Sequence, residues 1–242
     1  MNEDNSPRNE KANKFLLIDN YSQSSQTDRI DRIEEIIKDC EVKGEVKSIH
    51  FTQLKPELVK GCAGIILSGS ELNVSEFYFN EKLKRKFKTQ LDLINNNYQI
   101  PILAICFGFH LVAYAHGAQV SRMRIPELGG RIIFILIKKT DELINQKNIP
   151  VNAHHLDYVL PNDSNIQRNF EILCVSRTFG YNIVQYMKHI DKPIYALQFH
   201  PETHYLQNFP PISTDERITN KTRMIGQEII ENFIRVCSYN KK

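Results

Sequence analysis

In the first half of the chain, short runs of hydrophobic residues alternate with longer stretches whose hydrophobic residues recur at helical spacing. The hydrophobic runs lie at 15–18, 63–67 and 101–105, and a further strand is predicted at 46–51, where apolar and polar residues alternate. The helical stretches carry Ile30, Ile33 and Ile37 behind a candidate cap at Asp28, and then Leu83, Phe87, Leu91 and Ile94. Buried strands separated by amphipathic helices are typical of a parallel sheet covered on both faces. We therefore expect an α/β fold with a mostly parallel open sheet flanked by helices.

The second half of the chain, after Gly117, has a different pattern of hydrophobic residues. Shorter, β-branched segments predict further strands, several of them antiparallel, at 131–137, 170–175, 182–187 and 193–199. A final helix is expected from Asp215 to Cys237, with Ile225, Ile229, Phe233 and Val236 along one side. The polar residues 1–13 predict a disordered tail, and 14–242 predict a single domain.

Composition narrows the class of protein. The 242 residues are 41% hydrophobic and carry a net charge of only +3, which argues against a dedicated nucleic-acid binder. No apolar run is long enough to span a membrane. The five cysteines are odd in number and form no CxxC pair, so we expect reduced thiols in a cytoplasmic protein rather than disulfides.

No cofactor is expected. A metal site at His116, His154, His155 and His204 is disfavoured because no ligand spacing recurs.

Cys106 is a candidate nucleophile. It follows the predicted strand at 101–105 and precedes a predicted helix over 110–116, with Gly108 two residues on. A sharp strand–turn–helix lifts the side chain at its apex clear of the sheet, and a helix N-terminus stabilises a thiolate. Taken alone, Cys106 is equally well explained as a buried core cysteine.

The segment Gln198-Phe199-His200-Pro201-Glu202 offers a candidate base. Residues i and i+2 of an extended chain point to the same side, and Pro201 restricts the backbone between them. Glu202 can therefore reach one ring nitrogen of His200 and leave the other free to take a thiol proton. Taken alone, a solvated strand end explains this segment as well. Both segments follow predicted strands, however, and strand ends of a parallel sheet share one crevice.

These segments resemble the motifs of the class I, or triad, glutamine amidotransferases. The run 101–111 resembles the family's nucleophile motif, and 198–202 resembles its His-Pro-Glu motif. Weaker likenesses are an oxyanion loop at 65–70, a substrate segment at 152–157, and the stretches 17–21 and 127–130. The resemblance covers roughly residues 14 to 238 and implies the flavodoxin-like fold of that family.

The resemblance also implies a chemistry. Cys106 would attack a γ-carboxamide and form a γ-glutamyl thioester, with His200 moving the protons and Glu202 orienting the imidazole. The backbone N–H groups of Phe107 and Ser70 would hold the oxyanion. Residues implied to contact the substrate are Gly69, His110, His154 and His155.

Three positions depart from the family pattern. His110 stands where the family has Gln, Gly69-Ser70-Glu71 replaces Gly-Gly-Pro, and His154 replaces Ser. Serine tolerates positive φ less well than glycine, so this half of the oxyanion hole is expected to be built differently or only on activation. The departures leave open whether the substrate is glutamine or another γ-glutamyl compound.

Three functions therefore stay open. The first is a glutaminase subunit that releases ammonia to a separate synthetase, since the chain ends soon after His200 with no synthetase domain. The second is a stand-alone γ-glutamyl peptidase or hydrolase. The third is a catalytically weak binding or regulatory homologue. None of them calls for a nucleic acid or a membrane as partner.

Overall fold

A computed structural model describes residues 13–22, 27–97, 99–124, 131–178, 180–202 and 215–239. The expected polar tail lies outside these residues except for its last position, since the first strand already begins at Asn13. The segment Glu127–Gly130 and His204 also lie outside the described residues.

In the first half of the described chain helices separate the strands, whereas the second half consists mostly of strands that follow one another directly. The strands are β1 Asn13–Asp19, β2 Gly44–His50, β3 Gly64–Leu67, β4 Ile102–Ile105, β5 Val120–Arg122, β6 Arg131–Leu136, β7 Asn148–Ala153, β8 Asp157–Val159, β9 Phe170–Thr178, β10 Tyr181–His189 and β11 Ile194–Leu197. The helices are α1 Thr27–Asp39, α2 Pro56–Val59, α3 Glu81–Lys86, α4 Lys88–Asn96, α5 Phe107–Ala115, α6 Ser164–Asn169 and α7 Glu216–Tyr239. Short 3₁₀ turns lie at Phe51–Gln53 and Val74–Tyr78.

A central sheet confirms the predicted fold class. Within the described residues it has seven strands in the order β2-β1-β3-β4-β11-β10-β9. The first five strands in this order, β2, β1, β3, β4 and β11, pair in parallel with one another. Strand β10 pairs antiparallel with both β11 and β9. Two antiparallel pairs, β5 with β8 and β6 with β7, stand beside this sheet. The antiparallel strands expected in the second half are thus present.

The core has one hydrophobic layer on each face of this sheet. Side chains of β1 alternate between the layers, so that Phe15 and Leu17 join α1 and α7 on one face. Leu16 and Ile18 join α4 and α5 on the other face. Both faces of the central parallel strands are therefore covered, which explains why β1, β3, β4 and β11 contain continuous hydrophobic runs.

Several local predictions need correction. The stretch from Leu83 to Ile94 forms two helices, because the chain breaks at Phe87, whose ring stacks on Phe51. Asp28 lies in the first turn of α1 rather than before it. The helix after Cys106 begins at once, at Phe107 and not at His110. The sequence does not predict strands β5, β7 and β8 or helix α6, because their hydrophobic residues show no clear helical or strand spacing.

Candidate active site

Cys106 lies at the apex of the turn between β4 and α5. It has φ 49°, the one positive φ of a non-glycine residue in the described part of the chain. Its N–H donates to the carbonyl oxygen of Leu197 (2.7 Å), and its own carbonyl oxygen accepts from the N–H of His110 (3.0 Å). Gly108 lets this turn pack on β3, since a Cβ there would lie 2.6 Å from the carbonyl oxygen of Leu67. The side chain of Cys106 is 5% exposed and reaches a pocket.

His200 and Glu202 follow β11, which pairs in parallel with β4 so that Leu197 lies beside Ile105. This register brings the end of β11 next to Cys106. The Nδ1 atom of His200 is 2.8 Å from Oε1 of Glu202, and both side chains are buried. The N–H of His200 donates to the carbonyl oxygen of Asn152 (2.9 Å), which fixes the backbone of the histidine. The structure therefore brings together the cysteine, histidine and carboxylate that the sequence singled out.

The carbonyl oxygen of His154 faces both reactive groups. It is 3.2 Å from Nε2 of His200 and 3.7 Å from Sγ of Cys106. Each ring nitrogen of His200 therefore faces an acceptor, Glu202 at Nδ1 and the carbonyl oxygen of His154 at Nε2. This arrangement stabilises the imidazolium form, which donates from both nitrogens. Burial alone would lower the pKa of His200, but the charges and hydrogen bonds of Cys106 and Glu202 outweigh it and raise that pKa to about 9. Burial acts to raise the pKa of Glu202, yet His200 and Arg29 hold it below its usual value.

Ser70 and Phe107, the predicted oxyanion donors, line the same pocket as Cys106. The side chain of Ser70 holds its own loop, because its hydroxyl donates to the carbonyl oxygen of Asn20 (2.7 Å) and accepts from the N–H of Leu72 (3.0 Å). Ser70 does not have positive φ, so the loop has a backbone conformation that serine accepts without strain. The loop is thus built differently from one that needs a glycine at this position.

Gly69 does not line the pocket but lies behind His200. A Cβ at this position would be 2.7 Å from Oη of Tyr21 and 2.9 Å from Cε1 of His200. Glu71, which follows in the same loop, accepts from the N–H of Ser22 (2.9 Å) and from its hydroxyl. The loop is therefore tied to the segment after β1 while Gly69 lets the imidazole approach.

The three histidines of the predicted substrate contacts all line the pocket. His110 is buried, with Nε2 2.7 Å from Oε1 of Gln198. His155 is buried with Nδ1 2.9 Å from the carbonyl oxygen of Asp157, and burial lowers its pKa to about 3. Burial, followed by the charges of His200 and Arg29, lowers the pKa of His154 to about 4. All three are therefore neutral side chains at neutral pH, since burial also lowers the pKa of His110.

Arg29 was missed by the sequence reasoning. It is 5% exposed, its Nη1 donates to Oη of Tyr21 (3.0 Å), and its Nη2 is 3.4 Å from Nδ1 of His154. A signal for it exists, because Arg29 is one turn before Ile33 and so falls on the apolar face of α1. A charged residue on a buried helix face needs polar partners, which the sequence did not identify.

The pocket itself has a volume of about 320 Å³ and a lining of both polar and apolar side chains. Its walls are formed by Tyr21, Arg29, Ser70, Glu71, Leu72, Asn73, Cys106, Phe107, His110, His154, His155, Leu156, Asp157 and His200. His116 lies elsewhere, against the rings of Phe170 and His189.

Across the described segments, no three or more His, Cys, Asp or Glu side chains are grouped to hold a metal ion. Nor does any helix in this part of the chain have the length and hydrophobicity to cross a membrane.

Comparisons with known proteins agree with the motifs. The sequence profile of the family described as glutamine amidotransferase class-I matches residues 16–210. A glutamine-hydrolysing GMP synthase subunit from Methanocaldococcus jannaschii is 30% identical over 229 residues, covering 93% of this chain and 98% of that protein. The corresponding protein of Methanococcus aeolicus is 34% identical over 151 residues, covering 61% of this chain and 65% of that protein. A solved glutamine amidotransferase from Thermotoga maritima superposes with a TM-score of 0.64 at 16% identity, covering 95% of this chain and 99% of that one. At that identity the last likeness shows the fold alone.

Proposed function

Because this chain belongs to the class-I glutamine amidotransferase family, we propose that it is the glutamine-hydrolysing component of a two-part GMP synthase. The observation that carries the proposal is that Cys106 and His200 line one pocket, with the carboxylate of buried Glu202 hydrogen-bonded to His200. The relatives named above are described as glutamine-hydrolysing subunits of that synthase, and one of them aligns over nearly the whole of both chains.

The proposed reaction starts from a thiolate and an imidazolium. Sγ of Cys106 attacks the amide carbon of glutamine, and the carbonyl electrons move onto oxygen. The C–N bond then breaks as the nitrogen takes the proton from Nε2 of His200, which releases ammonia and leaves a γ-glutamyl thioester. Neutral His200 next removes a proton from water, and the resulting hydroxide attacks the thioester. Breaking the C–S bond yields glutamate and restores the thiolate.

Glu202 has the role of orienting the ring. With its carboxylate 2.8 Å from Nδ1, the proton that moves in each step is the one on Nε2. The carbonyl oxygen of His154, which is 3.2 Å from Nε2, is a resting partner for that proton until the leaving nitrogen replaces it. Backbone N–H groups of Phe107 and Ser70 are the proposed oxyanion donors, and losing one such donor costs roughly a hundredfold or more in rate.

The ammonia needs an acceptor, which we propose to be a separate synthetase subunit. This partner follows from the relatives, whose names identify them as one subunit of a larger synthase. The five thiols are unpaired, which agrees with the proposed location in the reducing cytoplasm.

A mechanism-based label tests the nucleophile. A glutamine analogue with an electrophilic diazoketone, incubated with the purified protein, should alkylate Cys106 and abolish glutamate release from glutamine. Cys62 is half-buried and does not line the pocket, so Cys62→Ser provides the matched control and should retain both labelling and turnover. Alkylation elsewhere, or glutamate release by Cys106→Ala at the rate of the unaltered protein, would end the assignment.

A second experiment tests the partner. Glutamate release is measured for the chain alone and with the synthetase component of a two-part GMP synthase, against a panel of γ-glutamyl dipeptides. Stimulation of glutamine turnover by the synthetase supports the proposal. Fast dipeptide turnover that needs no partner would instead identify a stand-alone γ-glutamyl hydrolase, and labelling without any turnover would identify a weak homologue.

A further inference from the structure

We propose that Arg29 is a positioning residue of the reaction, holding His154 and the His200–Glu202 pair in place with a buried positive charge. This inference rests on the proposed function, because it assigns Arg29 a part in the same site. None of the motifs that identify the family includes this residue, which lies in helix α1.

The contacts of Arg29 join parts of the chain that are far apart in sequence. Its Nη1 donates to Oη of Tyr21 (3.0 Å) and is 3.5 Å from Nδ1 of His200. Its Nη2 is 3.4 Å from Nδ1 of His154, whose carbonyl oxygen in turn faces Nε2 of His200. The guanidinium therefore braces the loop after β1, the loop after β7 and the end of β11 at the same time. Its planar fork holds these groups at fixed directions, which a flexible ammonium does less well.

The charge of Arg29 acts on the same groups. Burial alone would lower the pKa of Arg29, but Tyr21, Glu202 and Cys106 raise it, so the guanidinium remains a cation in the interior. The same attraction helps to hold the pKa of Glu202 below its usual value. Since His154 is neutral, it accepts a hydrogen bond from Arg29 rather than repelling it. Arg29 thus favours the anionic forms of the groups around it.

The groups that face Arg29 determine the sign of the expected pH effect. They are Tyr21 from the loop after β1, His154 from the loop after β7, Cys106 from the turn before α5, and His200 and Glu202 from the end of β11. Removing a positive charge from this cluster makes proton binding easier at every one of them. Both limbs of the pH–rate profile should therefore move toward higher pH. A residue with a purely structural role would lower the rate without moving either limb.

The test compares Arg29→Met, Arg29→Lys and a control variant, Arg32→Met. Arg32 is on the same helix and pairs with Glu35 at 3.0 Å, and it does not line the pocket. The kcat and KM for glutamine are measured from about pH 6 to about pH 10. Arg29→Met is expected to lower kcat roughly a hundredfold, with KM nearly unchanged and the profile moved upward. Arg29→Lys should keep the profile in place, because it keeps the charge, while losing part of kcat.

A second readout does not depend on turnover. The rate of alkylation of Cys106 by iodoacetamide at a fixed pH reports the reactivity of its sulfur, and it should fall in Arg29→Met and stay unchanged in Arg32→Met. This readout also covers a variant that has lost activity, provided that circular dichroism shows it folded. Should Arg29→Met fail to fold, Arg29→Lys against Arg29→Gln gives the same comparison of charge.

The outcomes separate this inference from the function itself. If Cys106→Ala is inactive but Arg29→Met retains the kcat and the pH profile of the unaltered protein, Arg29 has only a structural role and the inference is wrong. A rise in KM alone would overturn it too, and would make Arg29 a contact for the carboxylate of the substrate. If Cys106→Ala stays fully active, the proposed function fails whatever Arg29 does.

Discussion

The packing of Gly108 against β3 provides a sharp test of how the turn at Cys106 is held. Gly108 is in the first turn of α5, two residues after the proposed nucleophile. A methyl group added at its Cα would lie 2.6 Å from the carbonyl oxygen of Leu67, 2.8 Å from its Cβ and 3.2 Å from its carbonyl carbon. The substitution Gly108→Ala therefore forces the start of α5 and the end of β3 apart.

The size of the effect follows from these distances. Ordinary contacts with a Cβ begin at 3.4 Å, so the oxygen at 2.6 Å requires a displacement of about 0.8 Å. Two of the three opposing atoms belong to the backbone of a central strand, which cannot turn away as a side chain can. In an unpacked helix the same change stabilises by about 1 kcal/mol. Overpacking costs about 1–3 kcal/mol, and a 1 Å misplacement of reacting groups costs roughly a hundredfold in rate.

We therefore expect Gly108→Ala to lose up to about 2 kcal/mol of unfolding free energy and most of its glutaminase activity. In a chain of this size, each kcal/mol lowers the melting temperature by about 2–4 °C, which circular dichroism measures directly. Asn220→Ala, at an exposed position of α7, is the control that raises helix propensity without a clash, and it should be neutral or slightly stabilising. A Gly108→Ala protein as stable and as active as the unaltered one would refute this account of the turn.

Three further predictions follow from single contacts. Gly69→Ala should lower kcat by roughly ten- to a hundredfold with little change in melting temperature, because its Cβ would lie 2.9 Å from Cε1 of His200, whose ring can shift; unchanged kinetics would contradict this. Asp163→Ala should cost about 1 kcal/mol in thermal unfolding and leave turnover unchanged, because Oδ1 caps α6 by accepting from the N–H of Asn165 (2.9 Å), whereas Asp163→Asn should cost less. His155, with its pKa lowered from 6.5 to about 3, contributes stability that is present above pH 6.5 and is lost as the pH falls toward 3. His155→Asn should therefore flatten the acid side of a stability–pH curve, and an equal slope in both proteins would count against a buried neutral His155.

Local patterns explain why much of this protein could be predicted. The central parallel strands β1, β3, β4 and β11 are buried on both faces, so each contains an uninterrupted apolar run, whereas the edge strand β2 alternates. The proposed nucleophile and base come from short motifs in which Cys106 precedes a helix and Glu202 follows His200 by two residues. Such features depend on neighbours along the chain, and one sequence contains them completely.

The break at Phe87 shows where local patterns fail. Leu83, Phe87, Leu91 and Ile94 have a helical period, which predicts one continuous helix. In the structure, Phe87 ends one helix and precedes the next, while its ring packs between the rings of Phe51 and Phe77. The hydrophobic period is the same for one helix as for two, so only the packing of the ring decides between them.

By itself, the sequence determined the fold class, and it supplied the thiol, imidazole and carboxylate of the proposed site with their order along the chain. The tertiary structure decided that β11 lies beside β4, which brings His200 to Cys106, and that the carbonyl oxygen of His154 faces both. It also decided that Arg29 reaches His200 across 171 positions of sequence. The physical reason is that hydrophobic period and motif spacing are properties of neighbouring residues. The order of strands and the direction of a buried side chain depend on which distant surfaces pack together, and no local pattern contains that information.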